Sequence, residues 1–302
     1  CHHSRVDTVL LPSIRAAENR LGGTQLAFVG GQGKSGTTWV ERIIDAHPQA
    51  ACLGEGHFAE GLGRRMYEAL ADYNHLLQHN NAQFPELEDF PQLAANDSIE
   101  LVRAALLLQF QRIAMRNSAA HLIAVRTPSE LNRVTELSTV LPSALFVHVL
   151  RDPRDTSISL WWHGERLAPG SMQKRHGRPE MLARELVPNW AAHVSHLRSL
   201  HAMSQGRLFE VRYERLLATP LVEAGALFAF LGLANTPTDC HAAMRASRFE
   251  QFSGGRAPGQ IDSISHFRSG TSGQWRSVMP ASPPGGWPKQ VEDVLKSLGY
   301  QY

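Results

Sequence analysis

The stretch Leu26-Ala-Phe-Val-Gly-Gly-Gln-Gly-Lys34-Ser35-Gly36-Thr37-Thr38-Trp39 constrains the fold more than any other part of this chain. An apolar run enters a turn rich in glycine and hydroxyl residues, and the turn leads into a helical pattern. A buried strand that feeds a helix through glycines lets backbone N–H groups approach an anion, while the helix points its positive dipole end at the same place. The turn therefore reads as a phosphate cradle with Lys34 as its point charge. Of the 30 Lys and Arg residues only Lys34, Lys174, Lys289 and Lys296 are lysines, which argues against compositional accident at this position. The same pattern also suits an ordinary strand-to-helix turn, so the rest of the chain decides.

The nucleoside-triphosphate loop G-x-x-x-x-G-K-[ST] shares its second half with Gly33-Lys34-Ser35. Its first half fails, because Phe28 stands five residues before Gly33, inside the apolar run. What remains, Lys34-Ser-Gly-Thr-Thr-Trp39, resembles the loop of sulfotransferases that use 3′-phosphoadenosine 5′-phosphosulfate (PAPS), a family whose fold is related to nucleotide kinases.

Apolar runs at 26–30, 121–125, 145–150 and 208–211, with a weaker one at 50–53, alternate with helical patterns. Such alternation predicts an α/β fold: a parallel sheet flanked by helices on both faces, P-loop-like, with ligands at the carboxyl ends of the strands. The first helix is predicted over 37–46, stopped by His47-Pro48, and Asp97 is predicted to cap the helix 99–114. Residues 164–188, rich in Arg, Gly and Pro, read as a mobile connection over the site, and 254–286 is similarly irregular. Within the former, Lys174-Arg-His-Gly-Arg178 reads as a solvated loop rather than a nucleic-acid patch. No Pro-, Gly- or Ser-rich linker divides the chain, so residues 1–302 read as one domain with variable segments at about 56–120 and 160–190.

A formal charge of +2 is too small to argue for a nucleic-acid or membrane surface. Cys1, Cys52 and Cys240 are odd in number and lack C-x-x-C spacing, which argues against a disulfide framework or a zinc site and for a cytoplasmic protein. No apolar stretch reaches the ~18–20 residues of a membrane span, and Cys1-His-His-Ser4 lacks the character of a signal peptide. No dimerisation motif is recognisable, and the oligomeric state stays open.

Two further segments carry the resemblance. Leu145–Leu150 runs into Arg151-Asp-Pro-Arg-Asp155 and on to Ser159, a strand ending in a cation and then a helix with Pro153 in its first turn. Arg151 and Ser159 reach one phosphate only if strand and helix pack side by side; a capped helix with an Asp152–Arg154 surface pair is the plain alternative. The spacing resembles the 3′-phosphate site of PAPS sulfotransferases, an arginine followed eight positions later by a serine. Phe267-Arg268-Ser269-Gly270-Thr-Ser-Gly273-Gln274-Trp275 resembles the family's C-terminal phosphate loop, with Ser269 in place of its lysine and Gln274 in place of its aspartate. The resemblance implies a 3′-phosphate held with one cation fewer. It also implies that Tyr213, Phe249 and Trp39 surround the adenine, where core packing is the alternative for Trp39 and Phe249.

The resemblance implies transfer of a sulfuryl group from PAPS to a small-molecule hydroxyl or phenol, with 3′-phosphoadenosine 5′-phosphate (PAP) as product and no metal. Gly33, Lys34, Ser35, Gly36, Thr37 and Thr38 would hold the 5′-phosphate, and Lys34 would neutralise it as it leaves. A hydroxyl acceptor needs a general base within hydrogen-bond reach. The family's usual histidine is replaced in Val125-Arg-Thr-Pro128 by proline, whereas His47–Glu55 resembles the segment in which bacterial and protein-tyrosine members carry a glutamate. Glu55 is therefore the expected base, with His57 and then His163 in reserve. The competing readings are a nucleotide-dependent kinase and a non-catalytic nucleotide-binding module. Nothing in the sequence identifies the acceptor.

Overall fold

The computed structural model describes residues 7–201 and 206–300; Cys1 and the Cys1–Ser4 start lie outside them. Among the described residues, β1 (Gln25–Gly31), β2 (Ala50–Gly54), β3 (Leu122–Arg126), β4 (Leu145–Leu150) and β5 (Leu208–Arg212) form one sheet in the order β2-β3-β1-β4-β5, every pair parallel. Helices occupy the connections: α1 (Asp7–Leu21) before β1, α2 (Thr37–Asp45) before β2, α3 (Arg64–Gln83) and α4 (Ala95–Ala114) before β3, and α5 (Val134–Val140) before β4. Then come α6 (Pro153–Leu167), α7 (Ser171–His176) and α8 (Pro179–His201) before β5, and α9 (Tyr213–Ala218), α10 (Pro220–Phe230), α11 (Pro237–Ala246), α12 (Phe249–Phe252) and α13 (Lys289–Ser297) after it.

Both faces of the sheet are dry, which is why its strands read as unbroken apolar runs. On one face Phe28, Ile123, Val125 and Phe146 meet Leu107 and Phe110 of α4 and Leu137 of α5. The Phe28 ring stacks on Phe146 at 5.8 Å and meets Phe110 edge-on at 5.7 Å, so the residue that breaks the triphosphate motif is a core anchor. On the other face Val29, Ala124 and Val147 meet Val40, Ile43 and Ile44 of α2 and Phe228 of α10. A third cluster joins Ile158 of α6 and Trp190 of α8 to Trp275, Trp287 and Leu295. No helix among the described residues is long and apolar enough to cross a membrane.

The chain leaves β1 for β2, returns to β3 beside β1, and then places β4 on the opposite side. The carboxyl end of β1 is therefore a topological switch point, where loops diverge and leave a crevice. Register brings Val29 level with Arg126 and Gly31 level with Val149, so the ends of β3 and β4 open into the same space.

Three local expectations need correction. Asp97 is not the cap of α4: the helix starts at Ala95, Ala94 takes the cap position, and the Asp97 carboxylate accepts the Ala94 N–H at 2.8 Å from the first turn. Residues 164–188 are largely helical rather than an irregular connection. Gly164 marks no turn, since a Cβ there would sit 2.5 Å from the Met172 side chain, and Pro188 lies inside α8. Asp152 does cap α6, accepting the Arg154 N–H at 3.0 Å, yet its pair with Arg154 is buried, the guanidinium lying 3.7 Å over the Trp275 ring. By contrast, 254–286 is as irregular as expected, holding one 3₁₀ turn at Gln274–Ser277.

Candidate active site

A cavity of about 710 Å³ opens at the switch point. Its β1–α2 wall is made by Gly33, Lys34, Gly36, Thr37, Thr38 and Trp39. Gly36, at φ 106°, caps α2, and a Cβ on it would lie 2.6 Å from the Tyr213 ring, so only glycine fits both the turn and the aromatic beneath it. The first N–H groups of a helix have no partner within it, and Thr37 and Thr38 at the start of α2 line the cavity. Ser35 departs from the expectation: it alone of the predicted nucleotide-binding residues does not line the cavity, being buried near Gly31, its N–H bonded to Gln32 O at 3.0 Å.

Lys34 adopts a left-handed φ of 72°, and its Nζ faces the carbonyl of His266 at 3.5 Å. Burial, reinforced by the charges of Arg166, Arg151 and Arg126, lowers its pKa from 10.5 to about 8. Those conditions favour an anion beside it. Histidines near it shift the same way: burial, then Lys34, lowers His163, and the same causes push His266 down to about 4. The two rings meet edge-on at 5.6 Å, with Arg166 3.2 Å from His163 Nδ1.

Arg151 leaves the end of β4 and grips main chain on both sides, donating to Lys34 O at 3.1 Å and Thr271 O at 2.9 Å. Ser159, two turns into α6, lines the same cavity as Arg268, Ser269 and Gly270. Sequence reasoning missed Asp155, whose buried carboxylate accepts the N–H groups of Gly273 and Trp275, the latter at 3.0 Å, and so fastens the C-terminal loop to α6. Arg268 donates to Gln274, the residue that departs from the family pattern. The aromatic end is compact: Trp39 meets Tyr213 edge-on at 5.5 Å, Arg151 lies 4.4 Å over Tyr213, and Phe249 packs so closely on Gly270 that a Cβ there would come within 2.6 Å. Trp39 Nε1, Ser247 Oγ, Arg151 Nε and Arg268 Nε are buried polar atoms of these wall residues with no protein partner.

Glu55 follows β2 with a left-handed φ of 61°, its N–H held by Arg126 O at 2.6 Å. Its carboxylate pairs with Arg126 and lies 3.4 Å from His57 Nε2, about half exposed at the cavity edge. Arg126 also binds Glu41 at 2.7 Å, passing so close to Gly54 that a Cβ would meet its guanidinium at 2.3 Å. The segment is fixed from the turn after β3: His57 N–H donates to Thr127 Oγ1 at 3.1 Å and Ala59 N–H to Glu130 at 2.9 Å. Burial raises the Glu130 pKa, against the pull of the Ala59 and Phe58 amides. Of the reserve bases His163 lines the cavity and His57 does not. Arg126 and Glu130 were not legible as site residues, because only strand pairing brings them here.

The family model described as "Sulfotransferase family" matches residues 27–237. Protein-tyrosine sulfotransferase 2 of Gallus gallus is 22% identical over 218 residues, 72% of this chain and 53% of that protein. Protein-tyrosine sulfotransferase 1 of Danio rerio is 21% identical over 208 residues, 69% of this chain and 53% of that protein. The chain thus spans about half the length of these curated relatives. Among solved structures, the sulfotransferase domain of the Synechococcus PCC 7002 olefin synthase has a TM-score of 0.54 at 18% identity, covering 92% of this chain and 96% of that one. Mouse sulfotransferase SULT7A1, solved with PAP, has a TM-score of 0.53 at 15% identity, covering 91% and 82%. These likenesses show the fold.

Proposed function

The chain belongs to the sulfotransferase family, and from that premise we propose that it moves a sulfuryl group from PAPS to a hydroxyl or phenol of a small-molecule acceptor. The observation that carries this reading is convergence. The Lys34 loop, Arg151 with Ser159, and Arg268–Gly270 come from three distant parts of the chain and line one cavity, bound to each other through Arg151. The residues fit a nucleotide with two phosphate groups: one cradle lies at the α2 N-terminus, Arg151 and Arg268 line another part of the cavity, and buried polar atoms of the lining residues Trp39 and Ser247 lack protein partners. When bound, the donor supplies an activated sulfuryl group.

The chain's own residues need then do little covalent work, since sulfuryl transfer, like phosphoryl transfer, depends on positioning and charge stabilisation. Lys34, with the free N–H groups of α2, meets the negative charge that grows on the leaving phosphate oxygen. Glu55 takes the acceptor proton at a carboxylate oxygen, while Arg126 and the bonds from Thr127 and Glu130 fix its position. The segments at about 56–120 and 160–190 select the acceptor. The cysteines support a cytoplasmic setting: Cys52 and Cys240 are both buried and free.

Calorimetry without added Mg²⁺ tests the reading. PAP should bind far better than AMP or ATP, and Arg151→Ala should weaken PAP by about ten- to a hundredfold, the scale of one charge-assisted hydrogen bond, while leaving AMP nearly unchanged. Equal affinities for PAP and AMP in the unaltered protein would overturn it.

A further inference from the structure

Residues 253–270 carry His266, Arg268, Ser269 and Gly270 to the cavity wall with neither helix nor strand. Main chain without a ladder must satisfy its carbonyls in other ways. Two backbone bonds cross the strap, Gly259 N–H to Ser269 O at 2.8 Å and Asp262 N–H to Arg268 O at 2.9 Å. One side chain supplies four more. Arg256 donates from Nε to Ser253 O at 3.0 Å, from Nη1 to Gln260 O at 2.8 Å and Arg268 O at 3.0 Å, and from Nη2 to Phe267 O at 2.6 Å. Ser253 Oγ closes the base of the strap by donating to Arg256 O at 2.9 Å, and Asp262 stands 3.8 Å from Nε as counter-charge.

Arg256 itself does not line the cavity. We propose that it is the positioning residue of the nucleotide site, holding the strap as one rigid piece and thereby setting the preference for a nucleotide with a 3′-phosphate. This rests on the PAPS reading. Two of its four acceptors, the carbonyls of Phe267 and Arg268, stand at the start of the segment that presents Arg268, Ser269 and Gly270, so the direction of that segment depends on the guanidinium. A planar fork with five N–H donors can fan out to four carbonyls, whereas an ammonium offers three donors from one point. Lysine therefore cannot take this position.

The test measures PAP and AMP binding by calorimetry for Arg256→Ala and Arg256→Lys beside Arg151→Ala. Both Arg256 variants should lose about ten- to a hundredfold in PAP affinity, the scale of one or two charge-assisted hydrogen bonds, with AMP within about twofold. Methylguanidinium should restore part of the PAP affinity of Arg256→Ala where sodium chloride at equal concentration does not. Equal losses for the two nucleotides would mean general damage to the site and overturn the inference, as would unchanged PAP binding. Arg256→Lys keeps the stem and the charge, and it carries the test if the alanine variant does not fold. Should Arg151→Ala lose the preference for PAP while both Arg256 variants keep it, this inference fails alone; a wild-type protein that binds PAP and AMP equally overturns the PAPS reading and this inference with it.

Discussion

Between Gly31 and Thr37 a few residues form one wall of the cavity, in a shape set at both ends by β1 and α2. The strap at 253–270 faces the same cavity, yet no element enters or leaves it at a set angle. It is shaped from within by Arg256 and fastened beyond its end by Asp155, far away in sequence. A phosphate loop of the first kind can be recognised from its own residues. One of the second kind is specified by side chains, Arg256 and Asp155, that do not line the cavity.

The comparison concerns binding, so the most damaging change to turnover should lie outside both loops. Glu55→Gln should lower sulfuryl transfer by about 10²–10⁴ and leave PAP affinity intact, measured with p-nitrophenol as a first trial acceptor. Normal turnover in that variant would move the base to His163, the reserve candidate on the cavity wall. Within the first loop, Lys34→Ala should lower kcat by about 10²–10³ and exceed its effect on PAPS affinity, because the charge it meets is greatest in the transition state. Arginine should not rescue it fully, a planar fork being a poor substitute for a compact ammonium.

Asp155→Asn attacks only the second loop. An amide accepts less strongly than the carboxylate that now receives the N–H groups of Gly273 and Trp275, so urea unfolding should show a loss of about 1–3 kcal/mol and PAP affinity should fall while AMP affinity holds. Equal weakening of the two nucleotides would show that the loops are not separable. The smallest effect is a protonic one. Lys34 has a folded pKa of about 8 against 10.5, so from pH 8 to 10.5 the unfolded chain holds the proton that the folded chain has lost, and this group's contribution to stability rises with pH across that window. An anion at Lys34 raises its pKa again. PAP binding near pH 8.5 should therefore take up a fraction of a proton, seen as a dependence of calorimetric heat on buffer ionisation; Lys34→Ala should abolish it and Asp155→Asn should keep it.

The strands and α2 were legible because a sheet buried on both faces writes itself as apolar runs. The helices over 164–188 were not. Gly164 and Pro188 normally punctuate, but here Gly164 admits Met172, and α8 tolerates Pro188 because Leu186, Val187, Trp190 and Ala191 are buried in the third cluster. The site divides in the same way. Lys34, Arg151 and Glu55 stand at strand ends that the pattern marks, whereas Arg126 and Asp155 acquire their roles only through contacts across the fold and Arg256 through carbonyls that an irregular strap turns toward it.

Arg151 donates to the carbonyl of Lys34 with one nitrogen and to that of Thr271 with another. Its grip sets the separation of these two segments of the cavity wall when the chain folds, before any nucleotide arrives. The entropy of ordering those loops is then lost during folding rather than during association. Encounter with PAP should accordingly be fast, accompanied by little change in backbone protection against hydrogen exchange. Residence time would then be governed by how tightly the two phosphate groups are held, with no loop required to open.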